Sequence, residues 1–281
     1  MVHSIKPLII GAKGFIGRYF FRHFLPFFPD LIGTHHLSQE GFFLLDLHDP
    51  VLNFPLSSYR YAMITAAISH PESCEIDRKH SYQCNVEGPI KLGMFFKKKG
   101  IIPIFFSTDY VFDGTQSLYT SDSPPSPLNE YGRQKAELEQ RALDLNGLVI
   151  RLSKVYGLEK GDRTFFDEIV FNLLSNKKIR MASDQILSPI AVHEIVKIVE
   201  QLMHNGERGI FNLTGPTYAS RFEMAKRAAS MLGVDGNLVT KILLKDLKSS
   251  YQRPNQVNLA SLFSTMPWEE GLQIVVDQHK R

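Results

Sequence analysis

Pro7-Leu-Ile-Ile-Gly11-Ala-Lys-Gly14-Phe-Ile-Gly17 is the segment that decides the fold, because it joins a short apolar run to a helix through a glycine-rich turn. In this context Gly11 permits a tight turn, Gly14 lets the backbone approach a pyrophosphate, and Gly17 allows close contact between helix and sheet. The diphosphate would rest on the N-terminus of the helix. The segment therefore predicts dinucleotide binding, and a glycine-rich turn that binds nothing is the alternative.

Apolar runs of strand length recur along the first half of the chain, with helical segments between them. They are apolar on both faces, as a parallel sheet covered by helices on both sides requires. The predicted strands are Pro7–Ile10, 31–34, 42–45, 62–65, 101–106 and 148–150, and the predicted helices are Phe15–Phe24, 81–98 and 129–144. This alternation predicts an α/β fold with a doubly wound, Rossmann-type parallel sheet.

The second half of the chain has a mainly helical pattern, with predicted helices at 167–174, 193–204, 222–232 and 267–279. We therefore assign residues 1–157 to a dinucleotide-binding domain and residues 158–281 to a smaller, mainly helical substrate-binding lobe. One late apolar run, Gly209–Leu213, is a candidate strand of the main sheet, in which case residues 190–213 return to the first domain.

Composition and charge exclude several classes of protein. The chain has 281 residues, of which 43% are apolar, and this predicts a packed globular protein. Its formal charge of +3 is spread along the chain, and basic runs such as Lys97-Lys-Lys99 are short, so nucleic acid is not an expected partner. The aromatic run 19–28 is interrupted by Arg22, His23 and Pro26, and we expect neither a signal peptide nor a membrane span.

The cysteines are Cys74 and Cys84, which form no CxxC pair and show no Cys/His spacing typical of a zinc site. The sequence therefore predicts neither a disulfide nor a metal site. Such cysteine usage fits a reducing cytoplasm, which is the expected location.

The end of the second predicted strand bears on cofactor choice. NAD-binding proteins of this architecture place an acidic residue there for the ribose hydroxyl, but this chain reads Gly33-Thr-His35-His36. The His pair favours NADPH or a loose selectivity that includes NADH, and two idle histidines in an exposed turn are the alternative. Asp46 and Leu47 follow the third strand and could meet the adenine, although a plain turn Asp is the more frequent case. The small residues Thr65-Ala-Ala67 follow the fourth strand, where backbone must pass close to the cofactor.

Two further motifs carry acid–base chemistry. Ser107-Thr108-Asp-Tyr-Val-Phe-Asp-Gly114 follows the fifth strand and places hydroxyls at the carboxyl edge of the sheet, where ligands bind in open α/β folds. Tyr131 and Lys135 are four residues apart on a predicted helix, so they share one face and the ammonium can stabilise a phenolate. A packing pair on the helix face is the alternative for these two residues.

Taken together, these motifs resemble the extended short-chain dehydrogenase/reductase superfamily, and within it the dTDP-4-dehydrorhamnose reductase group. The resemblance covers nearly the whole chain, because Asn85, Arg151-Leu-Ser-Lys-Val-Tyr156, Asp184-Gln185 and Arg253-Pro254 follow in the expected order.

The resemblance implies NADPH-dependent reduction of a nucleotide-linked 4-keto-6-deoxysugar, in cell-surface polysaccharide synthesis. Tyr131 would protonate the substrate oxygen, Lys135 would lower the pKa of Tyr131 and hold the nicotinamide ribose, and Thr108 would orient the carbonyl. The implied cofactor contacts are Gly11, Lys13, Gly14, Phe15, Ile16, Gly17, His35, Asp46, Leu47, Thr65, Ala66, Ala67, Asn85, Ser107, Tyr131 and Lys135. The implied substrate contacts are Thr108, Asp109, Val111, Tyr131, Asp184, Gln185 and Arg253, the last through the substrate diphosphate.

The chain departs from the group at two positions, and two alternative functions remain. Lys154 stands where the group commonly has an aromatic residue, which leaves the sugar undetermined. Tyr19 stands where some members have a Glu associated with a metal-bridged dimer, so a homodimer is an open question. A regulatory, cofactor-binding subunit is one alternative function, because the β subunit of methionine adenosyltransferase shares these motifs. A sugar-nucleotide epimerase or dehydratase with tightly bound NAD is the other.

Overall fold

The computed structural model describes residues 5–280 of the chain. The strands are β1 (Pro7–Ile10), β2 (Thr34–His35), β3 (Phe43–Leu44), β4 (Tyr61–Ile64), β5 (Ile102–Thr108), β6 (Leu148–Leu152), β7 (Val155–Tyr156), β8 (Ile179–Ala182), β9 (Ile186–Leu187), β10 (Ile190–Ala191), β11 (Gly209–Leu213), β12 (Ala219–Ser220) and β13 (Val239–Ile242). The α-helices are α1 (Phe15–Phe24), α2 (Pro71–Ile76), α3 (Arg78–Tyr82), α4 (Gly88–Lys98), α5 (Glu130–Asp144), α6 (Phe165–Leu174), α7 (Val192–Asn205), α8 (Arg221–Leu232) and α9 (Trp268–Lys280).

A parallel sheet in the strand order β1-β4-β5-β6-β11 forms the centre of the molecule. The short parallel pair β2-β3 extends it beyond β1, because Ile9 and Gly33 form a parallel bridge. The strand order reverses at β1 and β4, so a crevice opens at the carboxyl ends of these strands. This architecture confirms the predicted doubly wound α/β fold.

The central strands are apolar throughout because both faces of the sheet are covered. On one face, Phe20 and Phe24 of α1 and Ile195 and Val199 of α7 are buried in one hydrophobic cluster. On the other face, a second cluster contains buried residues of α4 and α5, such as Phe96 and Leu138. The sheet thus forms the middle layer of three.

A third hydrophobic cluster lies in the second half of the chain, where α6, α8 and α9 pack together around residues such as Phe166, Ala225 and Leu272. The parallel pair β8-β13 lies beside α8. The late strand β11 pairs with β6 in the main sheet, as the sequence predicts, with Phe211 opposite Ile150. The domain boundary at residues 157 and 158 stays a prediction.

Several elements begin where their capping residues require. Asn129 precedes α5 and its side chain accepts a hydrogen bond from the Gly132 amide at 2.9 Å. Ser220 precedes α8 and forms a capping box with Glu223. The helix predicted over residues 81–98 differs from the observed structure: α3 begins at Arg78, and the segment Gln83–Glu87 is a π-helical turn before α4.

Within residues 5–280, no helix combines the length and the apolar character that a bilayer crossing demands.

Candidate active site

Two connected cavities lie along the carboxyl edge of the sheet. The larger cavity, about 650 Å³, lies above the β1–α1 turn and extends to the ends of β2 and β3. The smaller cavity, about 470 Å³, lies between the end of β5, the start of α5 and the helical lobe. Both cavities are lined by Phe15, Ile16, Thr65, Ala67 and Ser69, so they form one continuous groove.

The glycine-rich turn is built so that only glycine fits at two of its positions. Gly11 has a φ of +85°, and a Cβ there would lie 2.8 Å from Cβ of Ala66. A Cβ on Gly17 would lie 2.2 Å from the Gly11 carbonyl oxygen, so α1 approaches the turn as closely as backbone allows. Gly14 lies at the exposed tip of the turn, where its backbone faces the larger cavity.

The N-terminus of α1 suits an anionic group. Gly14 provides no side-chain cap, and the first turn of α1 contains no acidic residue. The free N–H groups and the positive end of the helix dipole therefore point toward the larger cavity, as a bound diphosphate requires. Lys13 is exposed beside this turn and lines the same cavity.

The ends of β2 and β3 form the far wall of the larger cavity. His35 and His36 both line it, with their ring centroids 4.4 Å apart. Asp46 accepts a hydrogen bond from the His48 amide at 2.9 Å and lines the cavity together with Leu47. The ribose end of this cavity therefore presents imidazoles where an NAD-specific site presents a carboxylate.

The loop after β4 is held against the cavity by two side chains. Thr65 Oγ1 donates to the Ile10 carbonyl at 2.8 Å. The amide of Asn85, in the π-helical turn, donates to the Ile68 carbonyl at 3.0 Å and accepts from the Ile68 N–H at 2.8 Å. These bonds fix Ala66 and Ala67, which line the cavity with backbone and methyl groups.

Tyr131, Lys135 and Thr108 lie together in the wall of the smaller cavity. Lys135 Nζ donates to the Phe106 carbonyl at 3.0 Å and lies 6.0 Å from the centre of the Tyr131 ring. Thr108 Oγ1 accepts a hydrogen bond from the Tyr110 amide at 3.2 Å, which holds this hydroxyl in the same cavity wall as Tyr131. The first turn of α5 and the end of β5 thus bring a phenol, a hydroxyl and an ammonium to one place.

Burial controls the charges of these groups. It raises the pKa of Tyr131 well above its ordinary value, with the Asp109 carboxylate adding to the effect, so the phenol keeps its proton at neutral pH. Burial is the largest of these effects on the phenol, and the lowering of the Tyr131 pKa by Lys135 stays a prediction. Burial also lowers the pKa of Lys135 to about 8.

A cluster of cations lies deeper in the smaller cavity. Lys154 follows β6, Arg221 begins α8, and Arg253 lies in the loop before α9; all three line the cavity. Burial lowers the pKa of Lys154 to about 8, and the Arg221 guanidinium adds to this. Among the described residues, none of the three forms an ion pair with a carboxylate within 4.0 Å. Such a cavity is complementary to an anionic ligand.

Asp109 contributes a carboxylate to the wall of the smaller cavity. Burial raises its pKa to about 6, while a hydrogen bond from Thr108 Oγ1 at 3.1 Å opposes the rise. The Asp109 carboxylate raises the pKa of the Tyr131 phenol and is itself stabilised by the Lys154 ammonium.

A family model described as the RmlD substrate binding domain matches residues 6–281. The chain belongs to the RmlD substrate binding domain family. This match confirms the resemblance predicted from the glycine-rich turn, the Ser107–Gly114 motif and the Tyr131–Lys135 pair.

Two curated relatives and one solved structure illustrate the family. The chain is 26% identical over 263 residues to the probable low-salt glycan biosynthesis reductase Agl14 of Haloferax volcanii, covering 88% of this chain and 87% of that protein. It is 28% identical over 274 residues to methionine adenosyltransferase 2 subunit beta of Rattus norvegicus, covering 92% and 81%. The dTDP-4-dehydrorhamnose reductase of Bacillus anthracis, solved in complex with NADP, shares the fold, with a TM-score of 0.82, 24% identity and coverage of 96% and 98%.

Most of the residues that the family resemblance implies line the two cavities, and a few do not. Gly17 and Asn85 lie behind the walls of the larger cavity and shape it from there. Ser107 lines the smaller cavity, but its hydroxyl donates to the buried Glu139. Val111 is fully buried in a small core, and Asp184 accepts a hydrogen bond from the Leu244 amide at 2.6 Å; neither lines a cavity. Their part in substrate binding would be indirect.

The sequence motifs do not indicate several other residues of the site. Arg221 had a readable signal, because the capping box that begins at Ser220 places it in the first turn of a helix. Tyr251, which accepts a hydrogen bond from Arg253 Nε at 2.9 Å, had none. His48, His80 and Cys84 also line the larger cavity, although they are distant in sequence from the glycine-rich turn.

Proposed function

We propose that this member of the RmlD substrate binding domain family is an NADPH-dependent oxidoreductase that reduces the 4-keto group of a nucleotide-linked 6-deoxysugar. The observation that carries the proposal is the position of Tyr131 and Thr108 in the wall of the smaller cavity, which is continuous with the larger cavity. One cavity has the form of a dinucleotide site, and the other holds unpaired cations.

The larger cavity fits a dinucleotide. Glycine at positions 11 and 17 and the uncapped start of α1 supply the close backbone and the N–H groups that a diphosphate needs. The imidazoles of His35 and His36 favour the 2′-phosphate of NADPH over the bare ribose of NADH. NADP in the Bacillus anthracis relative supports this choice. When bound, NADPH supplies the hydride for a carbonyl carbon.

The residues of the smaller cavity have different roles in the proposed reduction. Tyr131 is protonated and donates its proton to the carbonyl oxygen, because burial keeps its pKa high. Thr108 lines the same cavity as Tyr131 and orients the carbonyl. Lys135 lies where it can hold the nicotinamide ribose and stabilise the phenolate that remains after proton transfer.

The cations that line the smaller cavity support the proposed class of substrate. Arg221 and Arg253 present guanidinium groups that match a diphosphate, and Lys154 adds a third positive charge. Arg253 is stacked on Tyr251, with its guanidinium carbon 4.3 Å from the ring centre, so it is positioned before any ligand arrives. The named reductase activity of the Haloferax volcanii relative supports a sugar-modifying role.

The proposal is tested by NADPH oxidation in the presence of a dTDP-4-keto-6-deoxyhexose. We expect turnover in the natural protein and a loss of about 10²-fold to 10⁴-fold in Tyr131→Phe, because the proton donor is gone while the ring remains. Tyr218→Phe is the matched control, since Tyr218 is exposed and lines neither cavity. Full activity of Tyr131→Phe would refute the acid role.

A regulatory subunit is the second candidate, and the similarity to the rat methionine adenosyltransferase subunit favours it. The same residues would then bind NADPH without turnover. Stoichiometric co-purification with a methionine adenosyltransferase, combined with no oxidation of NADPH by any keto-sugar nucleotide, would decide for this function.

An epimerase or dehydratase is the third candidate, and it would retain NAD through purification. Protein that is purified free of NAD and oxidises added NADPH would exclude it. We further propose a cytoplasmic location, because NADPH and sugar nucleotides are used there and Cys74 and Cys84 are free thiols.

A further inference from the structure

We propose that His48, His80 and Cys84 form a binding site for zinc or a similar thiophilic divalent metal ion in the wall of the larger cavity. Their ligand atoms, two imidazole nitrogens and one sulfur, all lie within 4.8 Å of one another. The sequence predicts no metal site because His48 comes from a segment distant from His80 and Cys84.

The separation between Cys84 and His48 agrees with tetrahedral coordination. Cys84 Sγ lies 3.6 Å from His48 Nε2. Zinc bonds of about 2.3 Å to sulfur and about 2.0–2.1 Å to nitrogen, at a tetrahedral angle, place those two atoms about 3.5 Å apart. The structure therefore holds sulfur and nitrogen at the distance that one zinc ion would bridge.

Two elements hold the ligands in place. His80 in α3 and Cys84 in the π-helical turn are four residues apart, so they project from one side of the helix. His48 lies in the turn after β3, fixed by the hydrogen bond from its amide to Asp46. The rings of His48 and His80 stack with their centroids 4.7 Å apart and 22° between planes, which keeps the two side chains adjacent; the exposed ring of His80 turns out of the stack when both nitrogens bind one ion.

The ligand atoms are free to bind metal. Within the described part of the chain, the ring of His80 makes no hydrogen bond, and the ring of His48 makes one, to Cys84. His80 is exposed while His48 and Cys84 are half-buried, so an ion can enter from the cavity. The thiol of Cys84 would release its proton on binding, and the fourth coordination position would face the cavity.

The test is a titration of the cofactor-free protein with Zn²⁺, followed by Co²⁺ in place of zinc. We expect one ion per chain and a thiolate-to-cobalt charge-transfer band in the near ultraviolet. His80→Ala should weaken zinc binding at least about 10-fold, and Cys84→Ser should also abolish the cobalt band. His204→Ala is the matched control, because His204 is exposed on α7 and lines neither cavity.

Binding of zinc with the same affinity in His80→Ala and Cys84→Ser as in the natural protein would overturn the proposal, as would failure to bind zinc at all. Since His80 is exposed, its variant should fold, which a thermal melt verifies.

A second consequence rests on the proposed function. Because the site shares the larger cavity with Asp46 and Leu47, bound zinc should weaken NADPH binding in the natural protein but not in His80→Ala. Protein that binds zinc but no NADPH would refute the proposed function and leave the metal site standing. Protein that binds NADPH but no zinc would refute the metal site and leave the proposed function standing.

Discussion

At the scale of single residues, the charge of Lys135 makes the site sensitive to pH. Burial lowers the pKa of Lys135 to about 8, so the ammonium is present below that pH and is lost above it. We expect kcat/KM for the reduction to be constant near neutrality and to fall about 10-fold per pH unit above about pH 8. A pH–rate profile with NADPH and a keto-sugar nucleotide measures this.

Lys154 titrates in the same range, so a control must separate the two lysines. Lys154→Met removes the second group, and its profile should keep the decline above pH 8. Lys135→Arg, whose guanidinium does not titrate, should lose the decline. If the decline disappeared in Lys154→Met, the titrating group would be Lys154 and the prediction for Lys135 would be wrong.

Also at this scale, Glu139 links the site to the core. Its carboxylate accepts two hydrogen bonds from the buried Arg151, at 2.8 and 2.9 Å, and one from Ser107. Glu139→Gln leaves the guanidinium without its counter-charge, and we expect the free energy of unfolding to fall by about 3–5 kcal/mol. Urea denaturation measures the change.

The matched control is Glu137→Gln on the same helix. Glu137 pairs with Arg141 at the surface, where both side chains are about two-fifths exposed, so the loss should stay below about 1 kcal/mol. Equal losses in the two variants would show that burial does not strengthen the Glu139 pair.

At the scale of elements, two glycines of the β1–α1 turn have different roles: Gly17 is structural and Gly14 faces the ligand. Gly17→Ala places a methyl group against the Gly11 carbonyl, and we expect it to destabilise the protein by about 1–3 kcal/mol. Gly14→Ala meets only a 3.3 Å contact, so its stability should change by less than about 1 kcal/mol while its affinity for NADPH falls. Thermal unfolding and fluorescence titration with NADPH measure the two effects. Undiminished NADPH binding by Gly14→Ala would argue against a diphosphate at this turn.

Elements whose signal is local could be predicted from the sequence. The strand Pro7–Ile10, the helix Phe15–Phe24 and the strand Gly209–Leu213 were predicted with the observed bounds, because apolar periodicity and glycine define them. The π-helical turn Gln83–Glu87 was not, because Asn85 in this turn forms tertiary hydrogen bonds with the backbone of Ile68 and with the side chain of Gln134. No local pattern encodes those partners.

The same distinction holds for the site. The glycine turn and the Tyr131–Lys135 pair are contiguous motifs and could be recognised. The capping box places Arg221 at the start of a helix, but its position in the cavity depends on the packing of distant elements, as does the meeting of His48 with His80 and Cys84. The direction of the Tyr131 pKa depends on burial, which sequence motifs do not report.

At the scale of the whole molecule, the sheet and the helical lobe share the smaller cavity. Arg253→Ala removes a guanidinium contributed from the lobe side, and we expect KM for the nucleotide sugar to rise at least about 10-fold, because a hydrogen bond to a charged group is worth about 1.5–3 kcal/mol. The Kd for NADPH should not change. Steady-state kinetics and an NADPH titration measure both.

Arg227→Ala is the control, since Arg227 is exposed on α8 and lines neither cavity. An unchanged KM in Arg253→Ala would mean that the substrate's negative charge is bound elsewhere.

The pairing of β11 with β6 also bears on how the chain is made. When residues up to 200 have emerged from the ribosome, β6 is available for folding, but β11, which covers the outer edge of β6, has not yet been synthesised. During that interval the nascent polypeptide carries an open, apolar sheet margin, which is the kind of surface that chaperones cover and that drives aggregation. A fragment that stops after residue 157 inherits this open margin permanently, so cutting the gene there is a poor way to obtain a soluble nucleotide-binding piece.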